Sequence, residues 1–395
     1  MRRINNKASE PGIKKLVILG STGSIGESAL RVAEALPSRF RIIGLAVHCR
    51  FERALEQARR FHVQRIAVAD PESARRCAAQ APADVTVLSG PAGVEELAAW
   101  DEADMVLAAI VGMAGLRPVL AALHRGTNVA LATKEALVVA GPIILAACVK
   151  TGARLLPVDS EHCAVFQCLD SRPVGQVRRL ILTASGGPFV DKPNINFDKV
   201  TVAEALQHPR WNMGRKVTVD SATMMNKGLE LMEAHWLFRF DLDRMDVLIH
   251  PESIVHSLVE FIDGSMLAQL SVSDMRFAIQ YALAYPERMD GGLPTLDLAA
   301  LGGLHFARPD EYRFPCLALA RDAARAGGTM PAVLNAANEV AVQDFLNGRL
   351  SFSGIWHLVE QVIGRHTPTA DPDLEAILQA DQWARREAGI LRSKS

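Results

Sequence analysis

Short aliphatic runs alternate with longer amphipathic stretches from Lys15 to about Asp159, and this alternation constrains the fold more than any other feature. The runs have the length and composition of buried strands, and segments between them, such as residues 28–37 and 51–61, have helical periodicity. Strands that alternate strictly with helices pair in parallel, so the sequence predicts a doubly wound parallel sheet of the α/β class. The predicted strands are LVILG, RIIGLAV, RIAVAD, DMVLAAI, NVALAT and RLLPVDS.

The pattern changes after Asp159, and 395 residues exceed what one hydrophobic core usually serves. Two β-rich runs flank Asp263-Gly264, which predicts an antiparallel hairpin within a central α+β region. A stretch rich in Gly and Pro then predicts a linker, and helical periodicity dominates the rest of the chain. The predicted divisions are a nucleotide-binding domain (1–159), a catalytic α+β domain (160–291), a linker (292–317) and a small helical domain (318–395).

Composition favours a soluble enzyme. The formal net charge is -1, which gives no support to a nucleic-acid partner or a membrane surface. The six cysteines form no C-x-x-C pair, so we expect free thiols in a reducing cytoplasm. The first 15 residues lack the apolar core of a signal peptide, and the longest apolar run is interrupted at Gly141-Pro142 and is too short to span a bilayer.

A glycine turn follows the first predicted strand. Gly20, Gly23 and Gly26 precede an amphipathic helix, an arrangement typical of Rossmann-like domains that bind the pyrophosphate of a dinucleotide at a helix N-terminus. The second strand ends without the acid that usually accepts the ribose of NAD, and Arg50 there would suit the 2′-phosphate of NADP. A turn without a ligand and a solvated Arg50 remain the alternatives.

Asp159 and Glu161 follow the last predicted strand of the parallel sheet. In an extended chain, residues two apart project to the same side, and two such carboxylates repel unless a cation lies between them. Ligands that are oxygen only favour Mg²⁺ or Mn²⁺. The adjacent His162 is expected to point elsewhere. The alternative is that Asp159 or Ser160 caps the next helix, which leaves Glu161 unexplained.

A third acidic ligand is predicted in the segment VTVDSATMMNKGLELMEAHWLF. On the predicted helix, Asn226 and Glu230 lie four residues apart beside an apolar stripe, and Lys227 lies one turn before Glu230. We therefore expect Glu230 to be a partly buried ligand. Glu233 is the competing candidate, and we expect it on the outer, solvated side of the helix.

These pieces together resemble the 1-deoxy-D-xylulose 5-phosphate reductoisomerase family over nearly the whole chain. The most specific string is HPRWNMGRKVTVDSATMMNKGLELMEA. The resemblance implies an NADPH-dependent enzyme of non-mevalonate isoprenoid precursor biosynthesis, which rearranges 1-deoxy-D-xylulose 5-phosphate and reduces the product to 2-C-methyl-D-erythritol 4-phosphate. It also implies a homodimer formed through the hairpin strands. The other matching strings are GSTGSIG, AIVGMAGL, VDSEH, LTASGGPF, IHPESIVHS and LNAANEVAV.

Carried over by motif, the resemblance implies that Asp159, Glu161 and Glu230 bind a divalent cation, Mg²⁺ or Mn²⁺. Glu161, Glu230 and Lys134 become the candidates for proton transfer. The implied contacts to the phosphosugar are Lys134, Ser160, Glu161, Ser185, His208, Ser221, Asn226, Lys227 and Glu230. The implied contacts to NADPH are Thr22, Gly23, Ser24, Ile25, Glu135 and Gly214.

This sequence departs from the family pattern on the cofactor side. His48 and Arg50 stand where the family commonly has Gly and Asn, and Thr133 stands where it commonly has Asn. We count these three residues among the cofactor contacts.

Residues 186–215 are expected to form a lid. Gly186-Gly187 would be its hinge, and Trp211, with Met213, would be its apolar cover over the substrate. The alternative for Trp211 is a core aromatic.

Three alternative functions remain at this point. A two-domain NADP-dependent dehydrogenase without rearrangement explains the glycine turn but gives the three acids and Lys227 no role. A regulatory protein that senses NADPH explains only the nucleotide site. A family relative acting on another phosphosugar has the same motifs, and only the choice of substrate separates it.

Overall fold

The computed structural model describes residues 12–170, 172–211 and 213–392. The prediction about the amino-terminal segment therefore concerns mainly residues outside this part of the chain. The strands are β1 (Lys14–Leu19), β2 (Phe40–Val47), β3 (Arg65–Val68), β4 (Thr86–Ser89), β5 (Met105–Ala108), β6 (Asn128–Leu131), β7 (Leu155–Pro157), β8 (Val177–Ala184), β9 (Met245–Ile249), β10 (Val255–Phe261) and β11 (Met266–Leu270).

Helices account for most of the remaining chain. They are α1 (Ser24–Ala35), α2 (Phe51–Phe61), α3 (Pro71–Gln80), α4 (Gly90–Ala98), α5 (Leu116–His124), α6 (Lys134–Thr151), α7 (Ser160–Leu169), α8 (Val202–Ala205), α9 (Arg215–Ala222), α10 (Met225–Phe238), α11 (Arg276–Ala284), α12 (Cys316–Ala326), α13 (Met330–Leu346), α14 (Gly354–Ile363) and α15 (Leu374–Arg392).

Seven parallel strands form the first sheet in the order β4-β3-β2-β1-β5-β6-β7, which confirms the predicted doubly wound fold. Both faces are buried: Val17 and Leu19 of β1 face one core, while Leu16 and Ile18 face the other. The six predicted strands are all present. The edge strand β4 was not predicted, because its four residues are only partly covered and none of them is buried.

The glycine turn joins β1 to α1 as expected. A Cβ at Gly26 would overlap the backbone of Gly20 and Ser21, so the first turn of α1 packs directly on the turn that precedes it. Only glycine permits this close approach at that position. The N-terminus of α1 therefore lies at the carboxyl edge of the sheet, beside β2 and β5.

A smaller second sheet has the order β11-β10-β8-β9. β10 is antiparallel to β8 and β11, and the turn between β10 and β11 contains Gly264 with a φ of 86°. The hairpin predicted at Asp263-Gly264 is therefore correct. The strand β10 contacts α7, which connects this sheet to the carboxyl edge of the first.

Helices α6 and α10 pack closely, and this contact brings two distant parts of the sequence together. A Cβ at Gly141 would overlap the Trp236 indole, so glycine is required where α6 bends at Ala140. The packing directs the N-terminal turns of both helices, which carry Lys134 and Lys227, towards the same place.

Residues between α11 and α12, all of which the structure describes, contain no helix or strand apart from a single bridge between Ile249 and Ala307. Helices α12 to α15 form the helical region expected at the end of the chain, and α13 also contacts α6 and α9. Among the described residues, no helix combines the length and apolarity of a membrane span. All six cysteines lie among the described residues, and all are free thiols, as predicted.

Candidate active site

A cavity of about 580 Å³ lies between the carboxyl edge of the parallel sheet and the second sheet. Its walls include residues from the connections that follow β1, β5, β6 and β7, which is where ligands bind in open α/β sheets. Most of the sequence-predicted site residues line it, namely Gly23, Ser24, Ile25, Thr133, Lys134, Glu135, Asp159, Ser160, Glu161, Ser185, His208, Trp211, Gly214, Ser221, Asn226, Lys227 and Glu230.

Three predicted cofactor residues lie outside this cavity lining. Thr22 is buried in the glycine turn, whereas His48 and Arg50 are exposed at the carboxyl end of β2. β2 pairs with β1, so His48 and Arg50 lie along the same edge as the glycine turn. A dinucleotide laid across this edge would extend beyond the cavity towards them.

Asp159 and Glu161 are not in extended chain, so that part of the interpretation is wrong. Asp159 is the N-cap of α7, where its carboxylate accepts a hydrogen bond from the Glu161 backbone N–H at 3.2 Å. Glu161 lies in the first turn of α7. The sequence offered two interpretations of Asp159, a helix cap and a member of an acidic cluster. Both are correct, because the capping residue also belongs to the cluster.

Glu230 completes the cluster from α10. Carboxylate oxygens of Asp159, Glu161 and Glu230 lie within 4.8 Å of one another, and the Glu230 side chain is only 1% exposed. Burial and the neighbouring carboxylates raise the pKa of Glu230. Three oxygen donors at this separation form a suitable ligand set for Mg²⁺ or Mn²⁺.

Two lysines supply positive charge within the acidic cluster. The Lys134 ammonium is 2.9 Å from Asp159 Oδ2 and 3.0 Å from Glu230 Oε1. The Lys227 ammonium is 2.8 Å from Glu161 Oε1 and also contacts Glu230. Burial alone would lower the pKa of each lysine, but the carboxylates outweigh it and raise both. A divalent cation was the only counter-charge predicted from the sequence, and the two lysines supply part of that positive charge.

His162 and Glu233 were both misjudged from the sequence. His162 does not point away: its Nδ1 is 3.0 Å from Asp159 Oδ1, and its Nε2 is 2.9 Å from the Glu230 backbone oxygen. Glu233 is 1% exposed rather than solvated, and its Oε2 is 3.5 Å from His162 Nδ1. The contact between Asp159 and His162 follows from their i, i+3 spacing at the start of α7, a signal that an extended-chain reading discards. The contacts of His162 to Glu230 and Glu233 are made across to α10, and no local spacing announces them.

Asp159, His162 and Glu233 also form a compact group of possible metal ligands. Burial would lower the pKa of His162, but Glu233 and Asp159 outweigh it and raise the pKa to about 9. A protonated His162 would donate from both ring nitrogens, which matches the acceptors on its two sides. Burial raises the pKa of Glu233 to about 7, despite the opposing effect of His162. A protonated His162 that pairs with Asp159 and lies beside Glu233 therefore accounts for this second group without a metal.

Polar side chains from the predicted lid lie against the second sheet. Ser185 Oγ is 2.9 Å from His208 Nε2, and His208 Nδ1 accepts a hydrogen bond from the Trp211 backbone N–H at 2.9 Å. Burial lowers the pKa of His208 to about 4, so the imidazole is neutral at pH 7. The Trp211 ring is half-buried, 6.2 Å from the His256 ring, and is therefore not a core aromatic.

A second charged group in the cavity includes Glu135, the only one of its members that was predicted from the sequence as a site residue. Lys216 Nζ is 2.9 Å from Glu135 Oε1 and 2.9 Å from Asp220 Oδ2. All three residues line the cavity. Lys216 and Asp220 have i, i+4 spacing on α9, and that spacing was the available signal.

Family models match most of the chain. A model of 1-deoxy-D-xylulose 5-phosphate reductoisomerase matches residues 16–141, and a model of the carboxy-terminal domain of that enzyme matches residues 155–238. A further model, described as the DXP reductoisomerase carboxy-terminal domain, matches residues 270–387.

Relatives and solved structures give the same result. A relative from Symbiobacterium thermophilum, named 1-deoxy-D-xylulose 5-phosphate reductoisomerase, is 52% identical over 380 residues, covering 95% of this chain and 98% of that protein. The Zymomonas mobilis enzyme in complex with NADPH aligns with a TM-score of 0.90 and 41% identity, covering 97% and 100% of the two chains. A reductoisomerase in complex with NADPH, fosmidomycin and magnesium aligns equally well, covering 96% and 98%. This chain belongs to the 1-deoxy-D-xylulose 5-phosphate reductoisomerase family.

Proposed function

We propose that this chain converts 1-deoxy-D-xylulose 5-phosphate into 2-C-methyl-D-erythritol 4-phosphate, using NADPH and a divalent cation. The main support for this proposal is that a single cavity has two chemically different ends. One end has three carboxylates and two lysines, and the other is formed by the glycine turn and α1. A dehydrogenase that performs no rearrangement has no evident use for the first end.

The donor set fits a cation of the Mg²⁺ or Mn²⁺ type, held by Asp159, Glu161 and Glu230. When bound, such a cation supplies Lewis-acid stabilisation of negative charge on substrate oxygens. Proton transfer is assigned to Glu161, Glu230 and Lys134, because these groups lie within one hydrogen-bonded cluster.

Binding of the phosphosugar is assigned to polar residues around the cluster. Lys227 contributes charge, and hydroxyl, amide and imidazole groups contribute hydrogen bonds. Binding energy from a phosphate remote from the changing bonds would hold the substrate through the rearrangement. Trp211 would exclude water from the intermediate aldehyde. The assigned residues are Lys134, Ser160, Glu161, Ser185, His208, Trp211, Ser221, Asn226, Lys227 and Glu230.

NADPH, whose role is to supply a hydride to that aldehyde, is assigned to the other end. The N-terminus of α1 favours an anionic pyrophosphate. Thr133 donates a hydrogen bond to the Ile110 backbone oxygen at 2.6 Å, and this fixes the start of α6 beside the cavity. The assigned residues are Thr22, Gly23, Ser24, Ile25, His48, Arg50, Thr133, Glu135 and Gly214.

We also propose that the chain divides into domains 1–159 and 160–291, a linker 292–317 and a helical domain 318–395. Residues 186–215 are proposed as the lid, and the proposed location is cytoplasmic.

A homodimer through the second sheet is proposed because its edge strand β11 exposes apolar side chains. Met266 is 48% exposed and Leu267 is 41% exposed, and an uncovered apolar edge invites pairing with another copy.

The direct test is to incubate purified protein with 1-deoxy-D-xylulose 5-phosphate, NADPH and Mn²⁺, and to identify the product by NMR. We expect one branched-chain polyol phosphate formed for each NADPH oxidised, and no turnover after chelation of the metal. Oxidation of NADPH with simple aldehydes and without metal would support the dehydrogenase alternative. Turnover of only a different phosphosugar would support the alternative of a family relative.

Arg50 provides a prediction specific to this chain. If its guanidinium binds the 2′-phosphate of NADPH, Arg50→Ala should weaken NADPH binding about tenfold, since one charged hydrogen bond contributes about 1.5 kcal/mol or more. NADH lacks that phosphate, so its affinity should not change. Arg59→Ala, an exposed arginine at the other end of α2, is the matched control. Equal losses for NADH and NADPH would contradict the assignment.

A further inference from the structure

A line of polar contacts runs from the cavity into the carboxy-terminal helices. Glu135 on α6 contacts Lys216 on α9, and Lys216 contacts Asp220 one turn further along α9. Asn338 of α13 then donates a hydrogen bond from Nδ2 to Asp220 Oδ1 at 2.8 Å. Asn338 belongs to LNAANEVAV, a motif to which the proposed function gives no role.

These groups are buried and depend on one another for charge compensation. The side chains of Glu135 and Asp220 are 5% and 1% exposed, and Asn338 is 0% exposed. Burial alone would raise the pKa of Glu135, but Lys216 outweighs it and lowers the pKa. Burial opposes the charge of Lys216 as well, while Asp220, Glu135 and Glu339 raise its pKa. Removing Lys216 would take from two buried carboxylates the cation that they share, which is costly.

The geometry also links this line to the start of α6. Lys134 and Glu135 are the first two residues of that helix, and they are held from different sides. Lys134 is held by Asp159 and Glu230 at the acidic end, and Glu135 is held by Lys216 at the cofactor end. The first turn of α6 is therefore fixed between the two ends of the cavity.

We propose that Lys216 is a positioning residue for NADPH, and that Asn338 acts on the same site through Asp220. Lys216 holds the Glu135 carboxylate and the first turn of α9, which begins next to Gly214, in the arrangement that receives the cofactor. The carboxy-terminal helices thereby take part in cofactor binding without touching the cofactor. This inference rests on the proposed function, because it assumes that NADPH binds at Glu135 and Gly214.

The test is direct binding of NADPH, measured by calorimetry without metal or phosphosugar. Lys216→Met should raise the Kd for NADPH about tenfold or more, and Asn338→Leu should raise it about threefold to tenfold, as expected for losing charged and neutral hydrogen bonds. Lys216→Arg, which keeps the charge, should recover most of the affinity. The KM for the phosphosugar should change less than about twofold in all three variants.

Asn335→Leu is the matched control. Asn335 is also 0% exposed on α13, but its Nδ2 donates to Glu339 at 3.1 Å and not to Asp220. Thermal unfolding of all variants separates loss of stability from loss of cofactor affinity. An unchanged Kd in Lys216→Met overturns the inference, as does an equal effect of Asn335→Leu and Asn338→Leu. Failure of the unaltered protein to bind NADPH would instead overturn the proposed function.

Discussion

Replacing Glu230 by Gln is expected to reduce turnover by a factor of about 10³ or more, because the cation that would stabilise negative charge on the substrate loses one of its charged ligands. Glutamine has the same shape but no charge, so Lys134 and Lys227 would also lose a partner they share. Calorimetric titration with Mn²⁺ should show binding weakened at least about tenfold, as expected for the loss of one charged ligand. Full activity, or unchanged Mn²⁺ affinity, would contradict the proposed site.

Glu233→Gln is the matched control for this experiment. Glu233 lies three residues, or just under one turn, beyond Glu230 on α10 and is equally buried, but it belongs to the group with Asp159 and His162. Because its pKa is raised to about 7, the neutral form is already substantially populated near neutral pH, and a neutral amide should be tolerated. Loss of Mn²⁺ binding in Glu233→Gln, with binding retained in Glu230→Gln, would move the cation to that second group.

Much of the fold follows from local pattern. Buried parallel strands need aliphatic side chains on both faces, and that requirement is visible in runs such as residues 41–47. The edge strand β4 was missed because an edge strand is partly exposed and carries no such run. The bend in α6 could be predicted only in part. Gly141-Pro142 signals an interruption, but its reason, close packing of Trp236, is a tertiary contact.

The candidate site was predictable to a lesser degree. The three acids, Asp159, Glu161 and Glu230, could be nominated because acids beside apolar segments need compensation. The identity of the compensating groups depends on how α6, α7, α9 and α10 meet. Lys134 is 96 positions from Glu230, and no periodicity relates them. The burial of Glu233 and the role of Lys216 depend on the same packing.

The cluster also links catalysis to stability. Asp159, Glu161 and Glu230 share Lys134 and Lys227, so any change to one member alters the charge balance of the rest. Burial increases the cost of any imbalance, because an unpaired charge in the protein interior destabilises the folded state by several kcal/mol. A cation that binds the acids should therefore stabilise the protein, in proportion to its affinity.

Lys227→Met is expected to raise the KM for the phosphosugar about 100-fold, because it removes a buried charge from the proposed substrate site. The affinity for NADPH, measured directly, should remain within about twofold, since Lys227 lies at the opposite end of the cavity. The variant should also lose about 3 to 5 kcal/mol of unfolding free energy without metal, because Glu161 and Glu230 lose a shared cation. Urea denaturation measures this loss.

Mn²⁺ distinguishes the two effects of this substitution. It should restore part of the stability of Lys227→Met, because a divalent cation compensates the same carboxylates, but it should not restore the KM for the phosphosugar. Lys150→Met, at an exposed lysine in the last turn of α6, should change neither quantity. If NADPH affinity and phosphosugar KM deteriorate together in Lys227→Met, its role is structural and the phosphosugar assignment is wrong. If Mn²⁺ restores the KM as well, Lys227 serves the acidic cluster alone, and the group that binds the phosphate must be another.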